Sequence, residues 1–415
     1  MSGSALDAAL PTPAGNHPQA WRALLVAFLL QATSAACLYG PFAILLTTVE
    51  ERTGASRTLS ATGMLAVSMA SALLSPVAGS LAARLPLRRL ALLGVLLNVA
   101  GYLALAAWPD IRVYFAAYGL LIGGGMAFTG IVIPAVLVAR WYGEHRGRAL
   151  GILHMPLLAL LSPIVINAVL RHSGAAACYL VLAATMASNV LFLPFLKDRP
   201  PVTDEVQATG MAPVDDQRDR HRIAVIARVP SFWALSLATA AIISAGSMIN
   251  THLVPMVVQF GLTSTQAATL ISFGGLSGAV GAFLFGWLAD RLGGARALAL
   301  CALDMAVLAA LFLLKPGYVP LIVIMSLIGL NVSGAVPAFT LALSRRFDNL
   351  QFGAAIGLGT FIFMAISPFM SPIAGAMFVR FGDYRAALIV LVVLLLLGVL
   401  LALAGKGGET ARAAA

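Results

Sequence analysis

Charge is scarce in this sequence. Of its 415 residues only 10% are Asp, Glu, Lys or Arg, against 60% hydrophobic. An ordinary soluble domain carries roughly 25% charged and 45–50% apolar residues. With a mean hydropathy of +0.95, so few charges cannot cover a water-facing surface, which excludes a soluble enzyme and a disordered chain. Cysteine is also scarce. Cys37, Cys178 and Cys301 each sit in an apolar run and none has a CxxC spacing. There is thus no disulfide framework and no cysteine metal site, and the three read as small buried hydrophobes. Catalytic signatures are missing as well: there is no His-Glu-x-x-His, no phosphate-binding Gly-x-x-x-x-Gly-Lys loop and no Gly-x-Ser-x-Gly. The expectation is a non-enzyme with no cofactor and no metal, not driven directly by a nucleotide.

Long apolar runs are abundant. A helix needs about 20 apolar residues to cross a hydrocarbon core. Runs of that size fall near 22–47, 58–83, 89–108, 112–139, 149–170, 175–196, 231–258, 266–289, 297–314, 318–344, 353–379 and 385–404. They are continuous rather than alternating, which excludes a membrane β-barrel. The sequence predicts an all-α membrane protein of twelve spans. Residues 1–20 are polar and rich in Pro and Gly with no cleavage pattern, so the first run is expected to remain as a span. Residues 197–229 are densely charged and form a linker between a bundle over 21–196 and another over 230–405, leaving tails at 1–20 and 406–415.

The net charge is +10. Its cations fall between the runs, so they read as determinants of topology and not as a nucleic-acid surface. With both termini in the cytoplasm, the outside loops hold only seven of the 26 Lys and Arg: Arg52, Arg57, Arg112, Arg171, Lys315, Arg380 and Arg385. The opposite orientation inverts this bias. The expected location is a plasma membrane, of the bacterial inner type, with the lipid bilayer as partner and the chain acting as a monomer.

The two halves repeat. Gly79-Ser-Leu-Ala-Ala-Arg84-Leu-Pro-Leu-Arg88-Arg89 aligns with Gly286-Trp-Leu-Ala-Asp290-Arg291-Leu-Gly293-Gly-Ala-Arg296 at an offset of 207. Thr53-Gly-Ala-Ser56 aligns with Phe260-Gly-Leu-Thr263 at the same offset, and Gly147-Arg-Ala-Leu-Gly151 with Gly353-Ala-Ala-Ile-Gly357 at 206. Three anchors at nearly one spacing imply two parallel six-helix repeats, an architecture common among secondary transporters. In the 286–296 motif, Gly allows close helix approach, and an acid followed by cations near helix ends can form a charge relay that breaks as the halves rock. A plain turn with positive-inside charges is the alternative.

With these motifs the sequence resembles the major facilitator superfamily over residues 21–405. Residues 286–296 resemble its loop between spans 8 and 9, and 79–89 the counterpart between spans 2 and 3. In that counterpart Ala83 replaces the acid and Pro86 the glycine, leaving Arg84, Arg88 and Arg89 as cations. A narrower resemblance is to the monocarboxylate-transporter and oxalate:formate-antiporter branch. It rests on Arg140-Trp-Tyr142 with Arg146-Gly147, on His252-Leu-Val-Pro255 with 261–268, and on Gly382-Asp-Tyr384-Arg385. Carboxylate carriers of that branch often place a cation in span 8 or 11, and here 267–288 and 354–378 contain none. An anion at the midplane then relies on a His, hydroxyls and amides, or travels with a proton as the neutral acid.

Few ionisable groups lie within the runs. Asp304 in span 9 costs about 2.5–3.5 kcal/mol if charged at the centre of a helix. It reads as a proton-coupling carboxylate or as a structural hydrogen-bonding group. His154 in span 5 and His252 in span 7 are the other proton-coupling candidates, His252 also as a substrate ligand. The expected cavity set is Gln31, Tyr39, Asn250, His252, Asn331 and Ser333; the gating set is Gly286, Asp290, Arg291, Gly293, Arg296, Gly79, Arg84 and Arg88. The functional expectation is a secondary transporter moving a small organic acid or related metabolite by alternating access, with protons as coupling ion. The alternatives are a drug-type exporter of amphipathic compounds and a non-transporting membrane sensor. Span 5 lacks the Gly-x-x-x-Gly-Pro pattern usual in drug–proton antiporters, which weakens the exporter alternative.

Overall fold

The computed structural model describes residues 19–143, 145–198 and 223–405. The expected tails, and most of the expected linker over 197–229, lie outside the described residues. Those described are helical with no strand among them, and the long apolar helices supply the expected spans. Span 1 is Ala20–Thr53, span 2 Arg57–Arg84, span 3 Leu87–Ala107 and span 4 Ile111–Trp141. Spans 5 and 6 share one apolar stretch, Arg146–Phe195, and meet at Gly174, whose φ of 77° and ψ of −179° are not helical. Spans 7 to 10 are Pro230–Gln259, Ser264–Leu292, Gly294–Phe312 and Tyr318–Arg346. Span 11 is Gln351–Phe381 and span 12 Arg385–Ala404.

The helices begin and end where local chemistry permits. Ser56 Oγ accepts from Leu59 N at 3.3 Å, and Thr263 with Gln266 forms a reciprocal capping box. Each such cap contributes about 1 kcal/mol. Gly54 and Gly382 close spans 1 and 11 in the left-handed conformation, φ 69° and 80°, which glycine adopts without a Cβ clash. Gly293, φ 90°, is the single residue that turns span 8 into span 9.

Three spans are interrupted. Span 4 carries a π-helical stretch, Ala117–Ile122, and breaks again at Gly130. Span 5 breaks after Leu153 and resumes at Leu157, with Pro156 at the restart. Span 11 tightens at Ser367–Phe369 around Pro368. Proline removes a backbone donor and collides with the preceding turn, which suits Pro156 and Pro368 to these breaks, although Pro41, Pro76, Pro163, Pro255 and Pro337 sit inside continuous helices. Within a membrane such irregular backbone is tolerated where it is buried in protein or lines a cavity. All three cysteines are buried.

Ala20, Arg346 and Gly405 lie on one face of the bundle, with the span 8–9 turn. This is the near face; the turns after spans 1, 7 and 11 define the far face. Near-face ends are knitted by backbone capping: Arg140 donates to the Ala82 carbonyl at 2.6 Å and Asp198 accepts from Leu87 N at 3.0 Å.

Candidate functional site

Spans 2 and 11 show how the interior is shaped. Near the near face they touch: a Cβ built on Gly79 would collide with the Gly353 carbonyl, and one on Gly357 with the Ser75 carbonyl. Toward the far face the same helices part, and Thr62, Leu65 and Ser68 of span 2 face Phe363, Ser367 and Pro372 of span 11 across an open chamber of 820 Å³. Tyr39 and Met364 separate this outer chamber from an inner one of 170 Å³. The cavity therefore opens on the far face and is closed on the near face.

Closure uses a second crossing. Gly147 at the start of span 5 packs on Gly286 of span 8, and a Cβ on Gly151 would lie 2.7 Å from the Ala282 carbonyl. The two crossings correspond under the sequence repeat: 79 maps to 286, 353 to 147, 357 to 151 and 75 to 282. Small residues at these points let backbones approach as only Gly permits.

The crossings differ in charge. The Asp290 carboxylate, 6% exposed, accepts from Gly147 N at 2.7 Å and Arg148 N at 2.9 Å, and Arg148 Nε lies 3.9 Å away. It thereby caps the first turn of span 5, whose amides have no helical partners. Arg146 adds a bond to the Ser344 carbonyl at 3.2 Å, and Arg345 donates to the Asp290 carbonyl at 3.2 Å. At the equivalent crossing Ala83 offers no acid, and span 11 is capped by its own Asp348, which accepts from Gln351 N at 2.7 Å. Arg291 stacks over Trp287 at 4.1 Å and Arg296 bonds the Leu292 carbonyl at 3.3 Å, so both stay within the turn. Arg84 and Arg88 are exposed at the end of span 2 and the start of span 3.

The inner chamber gathers part of the expected set. Gln31 and Tyr39 of span 1, His154 at the break in span 5 and Ser333 of span 10 line it together. Gln31 Nε2 donates to His154 Nδ1 at 2.6 Å. Three atoms of the lining residues are buried without a hydrogen-bond partner: Gln31 Oε1, His154 Nε2 and Thr360 Oγ1. Asn250 is exposed on the helical face that carries Ile243 and Ser247, which line the outer chamber.

Two expected ligands turn elsewhere. His252 Nε2 lies 2.9 Å from the Ser371 carbonyl and Nδ1 3.1 Å from Tyr384 Oη. A carbonyl only accepts, so Nε2 carries the hydrogen and Nδ1 accepts from the tyrosine. The ring clamps span 7 to span 11 and to the turn before span 12, leaving no nitrogen for a ligand. Asn331, fully buried, directs its amide to Asp304 at 2.5 Å and to the Leu327 carbonyl at 2.8 Å. Asp304 and Asn331 thus form a bond between spans 9 and 10, away from the residues that line either chamber.

Sequence reasoning passed over Ser68, Ser71, Ser75 and Thr360. The three serines recur at i, i+3 and i+7, one helix face, and that spacing was the available signal. No Lys, Arg, Asp or Glu is among the described residues lining the two chambers.

Comparisons with known proteins agree with this architecture. The sequence profile of the Major Facilitator Superfamily matches residues 24–367. The Bacillus subtilis (strain 168) "Uncharacterized MFS-type transporter YcxA" is 27% identical over 308 residues, 71% of this chain and 72% of that one. Among solved structures, the Escherichia coli fucose:proton symporter FucP superposes with a TM-score of 0.73 at 16% identity, covering 93% of this chain and 98% of that one. A bacterial homologue of the iron transporter ferroportin, in an outward-facing state, gives 0.70 at 17%, covering 94% and 99%. At these identities the solved structures speak to fold.

Proposed function

The chain belongs to the major facilitator superfamily and is a multi-pass membrane transporter, and on that premise we propose that it moves a small organic acid or related metabolite, coupled to protons, by alternating access. The observation that carries this reading is the pairing of a polar, uncharged inner chamber with a near face closed by glycine crossings and a few hydrogen bonds between the halves. Rocking the halves about that chamber would part the crossings and expose the same side chains to the other side. The cation bias of the loops supports a cytoplasmic near face, so the cavity would face outward. The motifs around Arg140, His252 and Gly382 support kinship with the monocarboxylate branch.

Of the three expected proton-coupling residues, His154 is the one that lines the chamber, where its unpartnered Nε2 can bond substrate. Asp304 and His252 serve as inter-helix bonds in this reading. Tyr39, Gln31, Ser333 and Thr360 contact substrate, and Asn250 stands at the mouth.

The test is uptake into proteoliposomes holding the purified chain, with radiolabelled short-chain acids and an imposed pH gradient of either sign. Accumulation driven by an acidic exterior, lost when the gradient is reversed, is the expected result. Accumulation of amphipathic cations under the reversed gradient would identify an exporter instead. Saturable binding with no flux would identify a sensor.

A further inference from the structure

The inner chamber presents a specific chemical pattern at its wall. With Gln31 Nε2 donating to His154 Nδ1, the imidazole hydrogen sits on Nε2, and the carboxamide turns its oxygen the other way. Both Nε2 of His154 and Oε1 of Gln31 are buried and unpartnered. One is a donor and one an acceptor. Thr360 Oγ1, on a residue 2% exposed, is a third unpartnered atom among the lining residues. A buried polar atom left unpaired costs about 1–3 kcal/mol, so three together mark a place where something polar binds. Ala35, Val332 and Val336 add apolar surface to the lining.

Charge around this pattern is nearly nil. Tyr39 is the other titratable side chain among the chamber's described lining residues. Spans 2, 4, 10 and 11 contribute hydroxyls and apolar atoms there, and span 8 meets span 5 through Ala282 and Phe283. A carboxylate placed here would find no cation, and it would have no hydrogen to offer Gln31 Oε1. A carboxylic acid has both halves of the match, an O–H for Gln31 Oε1 and a carbonyl for the Nε2–H of His154.

Building on the organic-acid reading above, we propose that this site recognises the uncharged head group, so that the substrate enters as the protonated acid and carries its own proton. His154 stays neutral throughout, and the proton leaves with the substrate on the other side. The chamber's 170 Å³ compares with a protein cavity of about 150 Å³ that holds benzene, so acids of roughly three to six carbons are the first probes.

The test is calorimetric titration of the full chain in lipid nanodiscs with straight-chain carboxylates of that length, the matching alkanesulfonates and the matching amides, at several pH values. The carboxylate's apparent Kd should rise about tenfold for each pH unit above the acid's own pKa, because only the neutral fraction is competent. The amides should bind with no pH dependence and the sulfonates should not bind. Gln31→Leu and His154→Phe should each weaken the acid by about tenfold or more. An unchanged Kd in whichever variant keeps the parent's melting temperature would overturn the site. Sulfonates binding as well as carboxylates, or carboxylate affinity flat with pH, would overturn the uncharged-head inference while leaving transport of organic acids standing. If neither acids nor amides bind and proteoliposomes take up no acid, the organic-acid reading itself is wrong.

Discussion

Asp290 joins the two halves at the near face, because its two oxygens satisfy two first-turn amides belonging to the other half of the molecule. Hydrogen bonds to a charged group are worth about 1.5–3 kcal/mol each. Replacing Asp290 by Ala should therefore shift the balance between closed and open near face by about 3 kcal/mol, roughly a hundredfold. The shift is read as faster labelling of a cysteine placed beside the 79–353 crossing by a thiol reagent admitted from the near face. Asp304→Asn should behave oppositely to what its charge suggests. An Asn there still accepts from Asn331, so gradient-driven accumulation should survive within about twofold; loss of accumulation with exchange intact would restore Asp304 as a coupling group. The contrast between His154 and His252 shows where sequence reading stops at this scale. Both are lone histidines in apolar runs, and nothing local says that one ring faces a chamber while the other is held between Tyr384 and Ser371. In a span apolar on every side, the pattern does not mark which side meets a neighbour.

At the scale of elements, the apolar runs foretold the spans but not their breaks: Pro156 and Pro368 stand where spans 5 and 11 are interrupted, whereas Pro41 and Pro337 sit in unbroken helices. The helices overrun the runs, as span 1 does from 47 out to Thr53, because amphipathic turns continue past the hydrocarbon where hydropathy no longer sees them. The π-helical stretch in span 4 had no such marker: Ala117–Ile122 is an ordinary apolar sequence, and its widened turn is set by packing. Helix crossings were legible only as a repeat of glycines. The repeat supplied the offset of 207 but not the pairing of 79 with 353 and 147 with 286, which is a property of two halves meeting. Gly79→Val puts two methyls against the Gly353 carbonyl. It should hold the near face open, abolish net transport and lower the melting temperature by several degrees; Ser80→Val, one residue round the helix, should do neither.

For the molecule as a whole, the state captured is one of two that the transport cycle needs, and a sequence common to both cannot say which is the more populated. The structure makes that population measurable. All three native cysteines are buried, so a cysteine introduced at Ser68, partly exposed on the outer chamber wall, should be the principal site of labelling by a small membrane-impermeant thiol reagent. In intact cells it should react from outside and be protected by transported substrate. Reaction only in inverted vesicles would reverse the assigned orientation. The unequal crossings add a natural reporter. Span 11 carries its own cap in Asp348, whereas span 5 borrows one from across the gap. Each time the near face parts, the amides of Gly147 and Arg148 lose their acceptors to water while those of Gln351 and Phe352 keep theirs. Deuterium should therefore enter the first turn of span 5 at a rate set by how often the near face opens. Two backbone hydrogens then act as a turnstile counter for the transport cycle, readable in the unmodified chain without any labelled substrate.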